Sequence, residues 1–178
     1  MRILIAALQA ILCTACFSEL YYVDSRFTPE ESEQIRFGAA LWGPTGLHRD
    51  LIFGIKFSDV AADRNMIIRS DSRGAGNIDP YFKEHFHEQS ACIRSLLEPT
   101  KIVILMDHIT VDPLSTILAH ELGHAMGLEH VADPRAIMAA KSTDESLNCL
   151  TSEDIAEACR NGDACPSTPP AGCENKDP

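Results

Sequence analysis

The spacing of apolar residues changes several times along the chain, and each change marks an element. Residues 19–23 are rich in Tyr and Val and predict a short strand. Thr28-Pro29-Glu30-Glu31 then reads as a helix start: Thr28 caps, Pro29 suits the first helical position, and Glu31 completes a capping box. That helix should run to about Trp42, with Ile35, Ala39 and Trp42 on one side, until Gly43-Pro44 and Gly46 end it. Leu51, Phe53, Ile55 and Phe57 alternate with other residues and predict a second strand, with a third over residues 65–69. Residues 70–80, with Gly74 and Gly76, read as loop. The run Ile102-Val103-Ile104-Leu105 predicts a buried strand over residues 101–106. A second helix opens at Pro113-Leu114 with Asp112 as N-cap, carries Ile117, Leu118, Leu122 and Ala125, and ends at Gly127. A last helix begins near Thr151, with Asp154 in a capping arrangement, and continues to about Arg160. Residues 161–178 are rich in Pro, Gly and polar residues and read as an irregular tail. No internal repeat is evident. The order strand, helix, strands, helix predicts one mixed α/β (α+β) domain over residues 19–160, and 178 residues suffice to bury its core.

Residues 1–15 have a different character. Arg2 is followed by an apolar run from residue 3 to 12, interrupted only by Gln9, and then by small residues. This is the pattern of an export signal, and it is too short to span a bilayer as a mature helix. Thr14-Ala15-Cys16 resembles a lipobox, in which the final Cys is lipidated, although Cys13 stands where Leu is usual. The expectation is an exported protein, either an envelope lipoprotein attached to the membrane through Cys16 or an ordinary secreted chain. Cys92, Cys149, Cys159, Cys165 and Cys173 agree with export and predict disulfides of unspecified pairing, with Cys165 or Cys173 pinning the tail. A net charge of −11 argues against nucleic acid as a partner, and its even spread reads as a solvated surface.

The chemistry lies between His120 and His130. His120 and His124 are four residues apart, so on a helix they project from one face, one turn apart. Both imidazoles then reach one zinc ion at about 2.0–2.1 Å. Glu121 adjoins the first ligand and leans over the same face without ligating. Gly127 tolerates a left-handed backbone, so the chain turns sharply there and His130 returns as third ligand. Three neutral nitrogens leave zinc an open position for water, and Glu121 is placed to take that water's proton as general base and pass it to a leaving amine. A bare H-E-x-x-H arises by accident. At this chain's residue frequencies, all five fixed positions together occur by chance about 4 times in 100,000.

His120 to His130 matches the H-E-x-x-H-x-x-G-x-x-H signature of metzincin zinc peptidases. Met138 stands where that clan places a Met in a tight turn beneath the metal. The stretch from Leu118 to His130, then Asp133-Pro134-Arg135-Ala136-Ile137-Met138, and Leu150-Thr151 with Asp154-Ile155, resembles the matrixin branch. The resemblance implies a metzincin-like zincin domain: a twisted, mostly parallel mixed sheet over a cleft, an active-site helix forming the cleft floor, and a C-terminal helix. It also implies endopeptidase activity on a polypeptide substrate, with Met138 supporting the site by packing. Val131 stands where matrixins usually have Ser, Ala139-Ala140 lacks the Pro common after the Met, and position 140 lacks the Tyr of astacins and serralysins. No Cys-switch propeptide is expected between Cys16 and the domain.

Other residues offer less. His85 and His87 with Asp79 resemble accessory zinc and calcium loops, but no complete ligand set is present and a surface loop is the better reading, so a structural Ca2+ or second Zn2+ is unsupported. Asp107, His108 and Asp112 suit turns and capping. Residues 141–149, which the resemblance places at the wall of the main specificity pocket, are small and polar and define no preference. The expectation is a monomeric, zinc-dependent endopeptidase. The alternative is a non-catalytic zinc-binding envelope lipoprotein, against which the intact Glu121 argues, because a structural site needs no base.

Overall fold

A computed structural model of the chain describes residues 20–43, 52–56, 65–70, 91–94, 100–109, 113–141, 147–161 and 172–173. Strands β1 (Leu20–Asp24), β2 (Ile52–Lys56), β3 (Asn65–Ser70), β4 (Ala91–Arg94) and β5 (Lys101–Leu105) form one sheet. Their order is β2-β1-β3-β5-β4. The first four in that order are parallel, and β4 runs antiparallel to β5 with Ala91 opposite Ile104. Helices α1 (Pro29–Ala40), α2 (Leu114–Ala125) and α3 (Ser152–Asn161) complete the described elements, with a 3-10 turn at Met106–His108. This is the mixed α/β architecture expected from the order of hydrophobic patterns.

Parallel strands buried on both faces carry continuous apolar runs, and Met66–Ile68 of β3 and Ile102–Leu105 of β5 are such runs. Ile102, Val103, Ile104 and Leu105 are all buried, as are Met66, Ile67 and Ile68. Alternate residues of the central strands, Tyr21, Val23, Ile67, Ile102 and Ile104, join the main core with Ile35 and Ala39 of α1 and Leu118 and Leu122 of α2. Strand β5 runs into the 3-10 turn at Met106–His108, which accounts for Asp107 and His108 as turn residues.

The capping box at α1 forms as expected. The Thr28 hydroxyl accepts from the Glu31 N–H at 3.2 Å, and the Glu31 carboxylate accepts from the Thr28 N–H at 2.8 Å. Helix α1 stops at Ala40, not at Trp42. Leu41 N–H donates to the Gly38 carbonyl at 3.3 Å, tightening the last turn, and Trp42 leaves the helical path. Its indole N–H donates instead to the Ala119 carbonyl of α2 at 2.9 Å, and the ring is fully buried. Helices α1 and α2 approach closely at Gly38, where a Cβ would collide with the Ser115 carbonyl.

The position before α2 is Pro113, which has no side-chain cap, and Asp112 lies outside the described residues. The hydroxyls of Ser115 and Thr116 donate to Asn148 Oδ1 at 3.2 and 3.1 Å, tying this end of α2 to the segment before α3. Thr151 caps α3 as predicted: its hydroxyl accepts from the Asp154 N–H at 3.2 Å. Cys149 and Cys173 form a disulfide, and Cys159 is also disulfide-bonded. Residues 1–19, including Cys16, and the Asp79, His85, His87 and Cys165 positions lie outside the described residues. Among the described residues no helix is long and apolar enough to cross a membrane.

Candidate metal centre and active site

Helix α2 carries His120 and His124 on one face, as their spacing requires. The helix ends at Met126, and the backbone then closes through Gly127 at φ +85°. The Gly127 N–H donates to the His124 carbonyl at 2.9 Å and the Leu128 N–H to the Gly123 carbonyl at 3.0 Å. Those two bonds are the Schellman motif, which a left-handed residue at this position makes possible. Leu128 is buried in the core, so the turn is anchored and His130 is delivered back toward the helix.

The three imidazoles converge. His124 Nε2 lies 3.1 Å from His120 Nε2 and 3.1 Å from His130 Nε2. Among the described residues, His120, His124 and His130 are the group of His, Cys, Asp or Glu side chains whose ligand atoms cluster tightly enough for a metal ion. The far sides of two rings are engaged by backbone. His120 Nδ1–H donates to the Ile137 carbonyl at 2.7 Å, and His124 Nδ1–H to the Leu128 carbonyl at 2.9 Å. A proton on Nδ1 leaves the Nε2 lone pair free, so lone pairs face one another across the cluster. Such an arrangement is repulsive without a cation at its centre. Nitrogens about 2.0–2.1 Å from a tetrahedral zinc lie about 3.3 Å apart, close to the observed separations, so the donor set fits zinc.

Electrostatics agree. Burial, reinforced by the neighbouring imidazoles, lowers the His120 pKa to about 4, and burial likewise lowers that of His124. His120 is therefore neutral and ready to ligate at ordinary pH. Glu121 is 8% exposed and, among the described residues, takes no hydrogen bond or ion pair. Burial raises its pKa to about 7. An orphaned buried carboxyl beside the histidine cluster is costly to keep, and a structural role would ordinarily give it a partner. The cluster opens to solvent on the His130 side, where that residue is exposed. A pocket of about 350 Å³ lies there, lined by His130, Val131, Ala132, Glu153, Ala156 and Arg160.

Met138 is fully buried beneath α2, in a tight turn closed by the Ala136 N–H to the Asp133 carbonyl and the Ala139 N–H to the Ala136 carbonyl. Its sulfur lies so close to Gly123 that a Cβ there would collide with it. Val131, at the position where Ser was expected, donates its N–H to the Met138 carbonyl at 2.9 Å and packs on the core, so the apolar side chain is accommodated. Sequence reasoning read Asp154 as a capping residue and as part of the matrixin-like start of the last helix, and the structure adds to that. Its carboxylate accepts from Ile137 and Met138 N–H at 3.0 and 2.8 Å, besides the Thr151 N–H and hydroxyl. The peptide joining Ile137 to Met138 thus donates to Asp154 and accepts from His120. A buried Asp in the first turn of a helix after the Met turn was the available signal, but its partners are remote in sequence.

Comparison with known proteins agrees with this geometry. No curated protein matches the sequence. The Matrixin family model matches residues 54–160, more than half of the chain and the whole of the histidine cluster, the Met138 turn and nearly all of α3. The chain belongs to the matrixin family.

Proposed function

We propose that this protein is a zinc-dependent endopeptidase in which His120, His124 and His130 hold the metal and Glu121 is the general base. The observation that carries this reading is the convergence of three imidazole Nε2 atoms, two of them with their Nδ1 protons committed to backbone carbonyls, beside an unpartnered buried carboxyl. Bound zinc supplies Lewis acidity, acidifying water and polarising a carbonyl.

This chain's residues do the rest. Glu121 accepts a proton from the attacking water and returns it to the leaving amine nitrogen. A buried carboxyl with no hydrogen-bond partner of its own among the described residues can serve both halves of that exchange. The carbonyls of Ile137 and Leu128 hold the rings of His120 and His124 in the tautomer that ligates. Met138 packs under α2 and keeps the ligand-bearing face from sinking. The exposed side of His130 leaves room for an extended polypeptide to approach.

Purified protein should cleave an unfolded polypeptide, lose that activity to a chelator and regain it with zinc. Full activity in Glu121→Ala would remove the general-base assignment. Zinc bound at unit stoichiometry with no cleavage would favour the non-catalytic alternative. We also read the chain as exported. The Cys149–Cys173 disulfide and the disulfide-bonded Cys159 support an oxidising compartment, and the mass of the mature N-terminus tests lipidation at Cys16.

A further inference from the structure

His130 differs from the other two histidines in how it is held. His120 and His124 ride on a helix, whereas His130 lies on irregular backbone beyond the Gly127 turn and is exposed. Backbone there needs acceptors for its N–H groups, and α3 supplies them from two side chains. Glu157 Oε1 accepts from the Glu129 N–H at 3.2 Å. Glu153 Oε2 accepts from the Ala132 and Asp133 N–H groups at 3.1 and 2.9 Å. Glu153 and Glu157 are four residues apart, so they share one face of α3 a turn apart, matching the span from residue 129 to residue 133. His130 lies between the two points of attachment. Val131 between them is held separately by the Met138 carbonyl.

The helix bearing these carboxylates is itself fixed. The Cys149–Cys173 bridge lies just before it, and the Cys173 N–H donates to the Leu150 carbonyl at 3.0 Å. The Thr151–Asp154 capping box closes its first turn, and Ile155 and Ala158 enter the core. Arg160 pairs with Glu157 through Oε2, which leaves Oε1 directed at the Glu129 N–H.

We propose that Glu153 and Glu157 are positioning residues for His130, holding the backbone on either side of it so that its imidazole meets the other two. This rests on reading His130 as a metal ligand. The experiment measures zinc affinity by competition with a chromophoric chelator, together with the visible spectrum of the cobalt-substituted protein, which reports ligand geometry. Glu153→Ala and Glu157→Ala should each weaken zinc binding about tenfold, and the double variant about a hundredfold, with an altered cobalt spectrum. Glu153→Gln, whose amide oxygen still accepts, should stay within about threefold of the parent. Arg26→Ala, in a surface ion pair with Asp24 on the far side of the sequence, should leave zinc affinity unchanged whatever it does to melting temperature. A double variant that binds zinc as tightly as the parent, with an unaltered cobalt spectrum, overturns the proposal. If the double variant does not fold, equal zinc affinities for Glu153→Ala and Glu153→Gln overturn it. A parent protein that takes up no zinc at all defeats the reading of the metal site instead.

Discussion

Under the proposed function, Glu121 is the general base, and among the described residues its carboxyl has no hydrogen-bond or ion-pair partner. It is buried on the ligand-bearing helix, and its raised pKa has a consequence for stability that can be measured without any substrate. A carboxyl whose folded-state pKa lies above its unfolded value holds its proton more tightly when folded. In metal-free protein the contribution of Glu121 is therefore fully present below about pH 4.5 and is lost as pH rises through about 7. His120, lowered to about 4, works in the opposite sense: its contribution is present above pH 6.5 and is lost as pH falls toward 4. Glu121→Gln removes the first dependence and keeps the second. Chelated Glu121→Gln should accordingly gain about 2–3 kcal/mol relative to the chelated parent between pH 5 and pH 8, read from denaturant unfolding at both values. A difference that stays flat with pH would mean that Glu121 is not buried as described. The same substitution should lower turnover of the zinc-loaded protein by at least about a hundredfold while zinc stays bound.

At the scale of elements, the site depends on how α2 ends and on what lies against it. Gly127 is the one described glycine at positive φ, and the Schellman bonds that follow it turn the chain toward His130. Gly127→Ala should cost about 1–2 kcal/mol, because an L side chain resists that conformation, and should also weaken zinc binding. Loss of stability with unchanged zinc affinity would separate the turn from the ligand it delivers. Gly38 serves a different purpose, since its backbone is ordinary but its neighbour is the Ser115 carbonyl. Gly38→Ala should force α1 and α2 apart at a cost of about 1–3 kcal/mol, visible as a lower denaturant midpoint. The existence and type of α1, α2, α3, β1, β2, β3 and β5 were legible in the sequence, because each has a period or a cap of its own. Strand β4 was not. Four residues carry little periodic signal, and Ala91–Arg94 becomes a strand only by pairing with β5. Trp42 was legible as apolar and wrongly placed within α1, because its indole partner, Ala119, is 77 residues away.

On the scale of the molecule, α3 braces the site. Three of its carboxylates reach the two backbone segments that carry His130 and receive His120, and a disulfide fastens the chain just before it. The Cys149–Cys173 bridge closes a loop of sequence separation 24. Removing it, as Cys149→Ala with Cys173→Ala, should lower unfolding free energy by about 3 kcal/mol, measured by denaturant titration. Zinc affinity should fall with it, since the brace loosens. Unchanged affinity would mean that α3 holds its place through its core contacts, Ile155 and Ala158, without the bridge.

Sequence alone determined the metal-binding candidates, because spacing on a helix is a local property: His120 and His124 share a face wherever that helix is placed. It also determined the turn, since Gly at residue 127 states a backbone preference independent of the fold. Which carbonyls receive the Nδ1 protons, that Asp154 holds the Met138 turn, and that Glu153 and Glu157 flank His130 were decided only in the tertiary structure. Apart from the His124–Leu128 bond, which spans 4 residues, those contacts join residues 16 to 28 positions apart, and no local period encodes a hydrogen bond across such a gap.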